Sequence, residues 1–250
     1  MYFRGFISNI YVHWEQVKSF YLTVENYNPE VKPGMFLMIW VLGYEEIPIS
    51  PSLVKGNVIR LTVMNRGPTT NRIHRMAIGD KLYIRGPYGR GFDLTREGRY
   101  MLVGGGYGAS PLIYAAHVLK NKGFDLTYVE GVKTASRSLF ISEAKSLGVD
   151  VALVTEDGSS EHKGLVTDYV EKVIHLYDYV LGCGPEEMLK KLLKICHERG
   201  VKCQLSVERI IKCGIGICGS CSIGRRGLLV CKDGPVFYGD ELVSMGFLDE

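Results

Sequence analysis

From Tyr2 to about Gly98 the apolar positions come in short runs that alternate with polar ones, and each run is cut off by Gly, Pro or Asn. YFRGFISNIYVH, VKSFYLTVEN, GMFLMIWVLG and NVIRLTVMNR are each of strand length, and GDKLYIRGPYG adds a later strand closed by Gly86 and Pro87. Successive side chains of a strand point to opposite faces, so a period of two over such runs predicts half-buried strands. One helix candidate interrupts them, TTNRIHRMAIG, in which Ile73 and Met76–Ala77 can face inward. Many short strands with little helical periodicity predict an antiparallel β-barrel over residues 1–98, closed so that its edges are protected.

At Arg99 the pattern changes. RYMLVGG reads as a buried strand, GGGYGASP (Gly104–Pro111) as a tight turn, and PLIYAAHVLKNKG as a helix with Leu112, Ala115, Ala116 and Leu119 on one face. FDLTYVEG, VDVALVTED and YDYVLGCG give three further strands, with helical stretches SRSLFISEAKSLG and GLVTDYVEKVIH between them. Alternating β and α elements predict an α/β unit over residues 99–205 built on a parallel sheet, with ligands at the carboxyl ends of its strands.

The last stretch, residues 206–250, is organised by a cysteine string. Cys213, Cys218, Cys221 and Cys231 are spaced C-x4-C-x2-C-x9-C, with Gly214, Gly216 and Gly219 among the first three. The opening spacing is that of plant-type [2Fe–2S] ligation, and four soft thiolates suit iron–sulfur or zinc. Zinc ribbons use paired short CxxC units, whereas a glycine-rich loop with tight turns and inward N–H groups fits around something larger than one ion. The reading favoured here is a [2Fe–2S] cluster; structural zinc and merely buried or redox-regulated thiols are the alternatives. Ile215, Ile217 and Leu229 are expected to restrict water around it, and Lys212, Arg225, Arg226 and Lys232 either to offset thiolate charge or to form a solvated face. The tail GDELVSMGFLDE is expected beside the cluster segment or at a partner interface.

Length and charge add limits. At 250 residues two or three small domains are expected. The net charge of +3 comes from dispersed basic residues, which argues against a nucleic-acid binder. Apolar runs are far shorter than the roughly 20 residues of a membrane span, and the N-terminus shows no secretion signal. Seven cysteines, four of them in one metal-like string, point to a reducing cytoplasm; Cys196 and Cys203 read as small buried hydrophobes. The six histidines share no ligand spacing.

Other candidate chemistry sits at strand ends. Gly104, Gly105, Gly106 and Gly108 follow a strand and open a helix, where a pyrophosphate can meet backbone N–H groups; a purely structural turn is the alternative. Pro111 suits the start of that helix. Glu130, ending the second strand, either accepts from a ribose hydroxyl or is a solvated acid. Gly182, Gly184 and Pro185 surround Cys183, the one catalytic candidate, whose thiol either lies against a flat ring or is inert. Thr155, Asp157, Gly158 and Ser159 form a polar loop on the same rim. In the barrel half, Pro48 and Ser50 end a strand. Gly67, Thr69 and Thr70 precede the short helix, where an N-cap is the simpler local reading and phosphate binding the alternative. GPYGRGF (Gly86–Phe92) is glycine-dense and carries Arg90.

Together these pieces resemble the ferredoxin–NADP reductase superfamily, and more narrowly the electron-transfer subunits of heteromeric NAD-dependent dihydroorotate dehydrogenases. The resemblance spans essentially the whole chain. It rests on GGGYGASP, GCGP, SRSLF with Glu143 following, and above all VERIIKCGIGICGSC with VCKDGPVF. It implies an FAD domain in which Pro48 and Ser50 meet the isoalloxazine and ribityl region and Gly67 and Thr70 the pyrophosphate. It further implies NAD at the glycine loop and the GCGP motif, and a [2Fe–2S] cluster on the four cysteines. Electrons from the FMN of a catalytic partner would cross the cluster to FAD and on to NAD+, in a heterotetramer of two chains of each kind in pyrimidine biosynthesis. The diaphorase subunits of cytoplasmic hydrogenases or sulfite reductases are the runner-up, and a zinc-stabilised nucleotide-sensing module is a reading of another class. One departure stands out: the family's arginine before the proline is Ile47 here, leaving Arg66, Arg72 or Arg90 to compensate.

Overall fold

The computed structural model describes residues 1–27 and 29–249. The barrel half contains β1 (Phe3–Trp14), β2 (Val17–Val24), β3 (Phe36–Trp40), β4 (Ile47–Ile49), β5 (Leu53–Lys55), β6 (Val58–Met64), α1 (Pro68–His74) and β7 (Lys81–Tyr88). These strands form one antiparallel sheet in the order β4-β3-β7-β1-β2-β6-β5. The alternation seen in the sequence sets its register: Phe20 pairs with Leu61 and Leu22 with Ile59, all facing a dry interior shared with Leu37, Ile39, Leu82 and Ile84. Burying each such side chain contributes about 1.5–3 kcal/mol. Helix α1 starts with Pro68 at its first turn, one residue earlier than expected, and ends by Arg75.

The α/β half follows with β8 (Tyr100–Gly105), α2 (Ala109–Asn121), β9 (Leu126–Val132), α3 (Ile141–Ser146), β10 (Asp150–Thr155), β11 (His162–Lys163), α4 (Val166–Val173), β12 (Tyr179–Cys183), α5 (Glu186–Arg199) and β13 (Lys202–Ser206). The sheet order is β11-β10-β9-β8-β12-β13, all parallel. The chain runs outward from β8 in one direction and then returns to β12 on the other side of β8. That reversal opens a crevice at the carboxyl ends of β8 and β12, the place where open α/β sheets take ligands.

The last segment divides. A hairpin of β14 (Ser222–Ile223) and β15 (Leu228–Leu229), then α6 (Val230–Asp233), carry the cysteine loop. β16 (Val236–Tyr238) then joins the parallel sheet as an antiparallel edge, Phe237 opposite Leu205, and α7 (Gly239–Ser244) follows it. The expected tail packs back onto the molecule: Leu242 and Phe247 are fully buried, and Arg225 of the hairpin pairs with Asp249 at 3.0 Å. The cluster segment is thus sewn into the α/β half by its own C-terminal strand.

Candidate functional site

Two places concentrate the chemistry, and they adjoin. The first is a cavity of about 340 Å3 between the barrel and the α/β half. From the barrel it takes Pro48, Ser50, Arg66 and Thr70; from the crevice it takes Tyr107, Gly108, Ser110, Pro111 and Cys183. Glu208 and Arg209, on the way into the cysteine loop, close it. The sequence-predicted Pro48, Ser50, Thr70, Gly108, Pro111 and Cys183 are therefore brought together. Ser110 was missed: its Oγ is buried without a hydrogen-bond partner, an orphan hydroxyl in the cavity wall that a bound ligand would satisfy. Tyr107 was missed as well. Its ring lies 4.5 Å from the Arg66 guanidinium and its hydroxyl donates to Glu208 at 3.0 Å. Of the three arginines proposed to replace the family's, only Arg66 faces the cavity. Arg90 is committed to Glu241 and the Val236 carbonyl, and Arg72 is exposed on α1.

The remaining glycines of the two motifs act through packing. A Cβ on Gly105 would meet Met188 Sδ at 2.6 Å, and one on Gly184 would meet Met188 Cε at 2.6 Å and Gly105 Cα at 3.0 Å. The turns at Gly104–Gly108 and Gly182–Pro185 thus lie back to back, held by Cys183 opposite Gly104 across β12 and β8. Gly106 differs: its φ is +55° and nothing stands within 4 Å, so it exposes backbone to the crevice. In the barrel, Thr70 Oγ1 accepts the N–H groups of Arg66 and Gly67, both at 2.9 Å, and Thr69 donates to the Glu45 carbonyl. Thr69 is thereby an internal tie between the helix and the Glu45 segment and does not line the cavity.

Glu130 corrects an expectation. It is fully buried, and its two oxygens accept the N–H groups of Leu139 at 2.5 Å and Phe140 at 3.1 Å. Both oxygens are engaged inside the fold, so Glu130 pins the turn into α3 and offers nothing to a ribose. Burial raises its carboxyl to about 7, against the lowering effect of those bonds. Cys183 is pushed up to about 12, first by burial and then by the Glu208 charge. It is a protonated, apolar wall and not a nucleophile.

The second place is the cysteine loop. Cys213 Sγ accepts N–H groups from Ile215 at 3.5 Å and Ile217 at 3.4 Å, and its thiol touches Cys218. Backbone N–H groups, that of Cys218 foremost, hold Cys213 down at about 6. Cys231 donates its N–H to Cys221 Sγ at 3.4 Å, and these two thiols also meet. The four sulfurs therefore arrive as two pairs, 213 with 218 and 221 with 231. Among the described residues no three Cys, His, Asp or Glu side chains converge on a single ion. Two pairs are what a binuclear cluster uses, two thiolates for each iron. Gly214, Gly216 and Gly219 all have φ between +71° and +78°, the left-handed turns that aim N–H groups inward at the sulfurs. Ile215 and Ile217 do not shield the loop as expected: they are 51% and 79% exposed, Ile210 is 72% exposed, and Cys218 beside them is open to solvent. Of the basic residues flanking the string, Arg225 is exposed and paired with Asp249, as the solvated-face alternative has it.

Arg85 joins the two places. It pairs with Glu46 and donates to the Cys213 carbonyl at 2.9 Å, while Glu46 directly precedes the cavity-lining Ile47–Ser50.

Known proteins match this arrangement. The family model described as the iron-sulfur cluster binding domain of dihydroorotate dehydrogenase B covers residues 208–243. A protein of Methanothermobacter thermautotrophicus, named "Probable dihydroorotate dehydrogenase B (NAD(+)), electron transfer subunit", is 38% identical over 238 residues, covering 94% of this chain and 88% of that protein. A protein of the same name from Thermococcus kodakarensis is 38% identical, with 93% and 95% covered. Among solved structures, the NADH-dependent reduced ferredoxin-NADP oxidoreductase superposes with a TM-score of 0.85 at 29% identity, over 96% of this chain and 92% of that one. A ferredoxin NADP+ reductase from Neisseria gonorrhoeae, with a TM-score of 0.65 at 16% identity over 80% and 92%, shares the fold. With relatives this similar along nearly its whole length, the chain belongs to the family of electron transfer subunits of NAD-dependent dihydroorotate dehydrogenase B.

Proposed function

We propose that this chain takes electrons from the FMN of a dihydroorotate dehydrogenase catalytic subunit and delivers them to NAD+, through a [2Fe–2S] cluster on Cys213, Cys218, Cys221 and Cys231 and an FAD in the inter-domain cavity. The observation that carries the proposal is the adjacency of the two places: the backbone of the first cluster cysteine is hydrogen-bonded to Arg85 of the barrel, whose partner Glu46 opens the strand lining the cavity. When bound, FAD exchanges single electrons with iron and a hydride with nicotinamide.

The chain's residues then divide the work. Pro48 and Ser50 present a rigid wall and a hydroxyl to the flavin ring and ribityl chain. Arg66, with the turn at Gly67 and Thr70, meets its phosphates in place of the arginine that Ile47 replaces. Gly106, on the open rim of the turn, with Gly108 and Pro111, receives the NAD pyrophosphate, while Gly104 and Gly105 let the turn pack closely enough to present them. Gly182, Gly184 and Pro185 set Cys183 as an uncharged wall beside the reacting rings. No acid or base for dihydroorotate is assigned to this chain, so that chemistry falls to the partner.

The exposed Ile210, Ile215 and Ile217, in the segment that carries Cys218, support docking of that partner on the cysteine loop; the assembly proposed holds two chains of each kind. Seven free thiols agree with a reducing, cytoplasmic place; among the described residues no helix is long and apolar enough to cross a membrane. The test is anaerobic co-expression with the FMN subunit, followed by assay of iron, sulfide and flavin and by addition of dihydroorotate. About two irons, two sulfides and one FAD per chain, with bleaching on dihydroorotate, is the expected result. Bleaching by another donor but not by dihydroorotate would move the chain to a different pathway.

A further inference from the structure

Arg85 and Glu46 do more than join two loops. Arg85 Nε and Nη2 donate to Glu46 Oε1 and Oε2 at 2.7 and 2.6 Å, a two-pronged pair, and Nη2 also reaches the Cys213 carbonyl. The guanidinium lies over the Tyr88 ring, and Glu46 accepts the Tyr2 hydroxyl at 2.8 Å. The two side chains are only 14% and 19% exposed. A guanidinium does not deprotonate in proteins, and a fixed charge shielded from water acts further than one at the surface. The cation is thus held on the backbone of a cluster ligand, with its counter-ion attached to the flavin-side strand.

We propose that Arg85 and Glu46 are positioning residues that set the reduction potential of the cluster, with opposite signs. The proposal rests on the cluster standing on Cys213. Reduction adds one negative charge to the cluster; a neighbouring cation favours that state and a neighbouring anion opposes it. Arg85 therefore raises the potential and Glu46 lowers it, and the pair holds the cluster near the level from which it can hand electrons to the cavity.

The test is a redox titration of the complete chain, loaded with iron, sulfide and FAD, followed by the EPR signal of the reduced cluster and by cofactor content. Arg85→Gln is expected to shift the cluster equilibrium toward the oxidised form by on the order of tenfold, which is about 59 mV for one electron. Glu46→Gln is expected to shift it in the opposite direction. Arg85→Lys keeps the charge without the fork and is expected to stay within about twofold of the parent. A clasp with a structural role only would leave both glutamine variants at the parent potential, or move both the same way, and either result overturns the proposal. Loss of the cluster from both variants does so too. A parent chain with no reduced-cluster signal would instead remove the cluster assignment on which the proposal rests.

Discussion

At the scale of single residues, Glu130 couples the α/β half to pH. Its carboxyl, ordinarily near 4.5, is raised to about 7, mainly by burial. The folded chain therefore holds the proton more tightly than the unfolded chain does. The stability this adds is fully present below 4.5 and is lost as pH rises through about 7. At 1.36 kcal/mol per pH unit the loss is on the order of 3 kcal/mol. Glu130→Gln carries no proton to lose, so the gap between the two proteins' unfolding free energies, measured in urea from pH 4.5 to 8, is expected to change by that amount. Parallel profiles would mean that the Leu139 and Phe140 N–H groups keep the carboxylate charged throughout. Glu130 also shows where sequence reasoning stops. That an acid ends β9 is a local fact, but the turn that folds back over it comes from residues 138–140, and only the closed structure reveals that it is covered.

At the scale of elements, the two halves are held by a buried ionic joint. Arg60 of β6 donates to both oxygens of Glu143 on α3, at 2.8 and 3.0 Å, and His117 of α2 shares Glu143 Oε1 at 2.7 Å. Burial alone would raise Glu143, but the bonds from His117 and Arg60 hold it below the ordinary carboxyl range. Removing Arg60 takes the fixed charge from the part-buried Glu143 and leaves it His117 alone, so Arg60→Ala is expected to cost on the order of 2 kcal/mol in equilibrium unfolding. The double variant Arg60→Leu, Glu143→Leu is expected to recover much of that; an unchanged unfolding midpoint in Arg60→Ala would show the joint to be idle. Two of the elements it joins were readable because their signals are local: an apolar run of strand length in β6 and one apolar face on α2. Where β16 goes was not, because its three residues, Val236–Tyr238, carry no period of their own that would show pairing with β13, some thirty residues earlier in the chain. The cysteine string was legible for the opposite reason, since its ligand spacing is itself the local geometry.

At the scale of the whole molecule, what matters is the order in which the cofactor places meet the surface. The cavity lies inward, between two halves locked by Arg60 and Glu143, while the cluster loop lies outward with Cys218 exposed. On the route proposed above, electrons from another protein enter at the loop, and the exposed apolar residues there are assigned to that contact. Ile215 and Ile217 would be a poor choice for shielding a cluster in a free chain, since they leave it open to water, oxygen and chelators. Beneath a partner the same side chains become the desolvated centre of an interface, where a few buried anchors carry most of the binding energy. Two consequences can be measured together. Cluster loss to a chelator, followed by the visible absorbance, is expected to be at least about tenfold slower in the complex than in the free chain, because an anchored interface excludes solvent. Ile210→Asp and Ile217→Asp are each expected to weaken association with the catalytic subunit by about 2 kcal/mol, while iron and FAD contents stay at the parent level. Equal rates of cluster loss, with binding undiminished in both variants, would place the partner elsewhere and leave the exposed isoleucines unexplained.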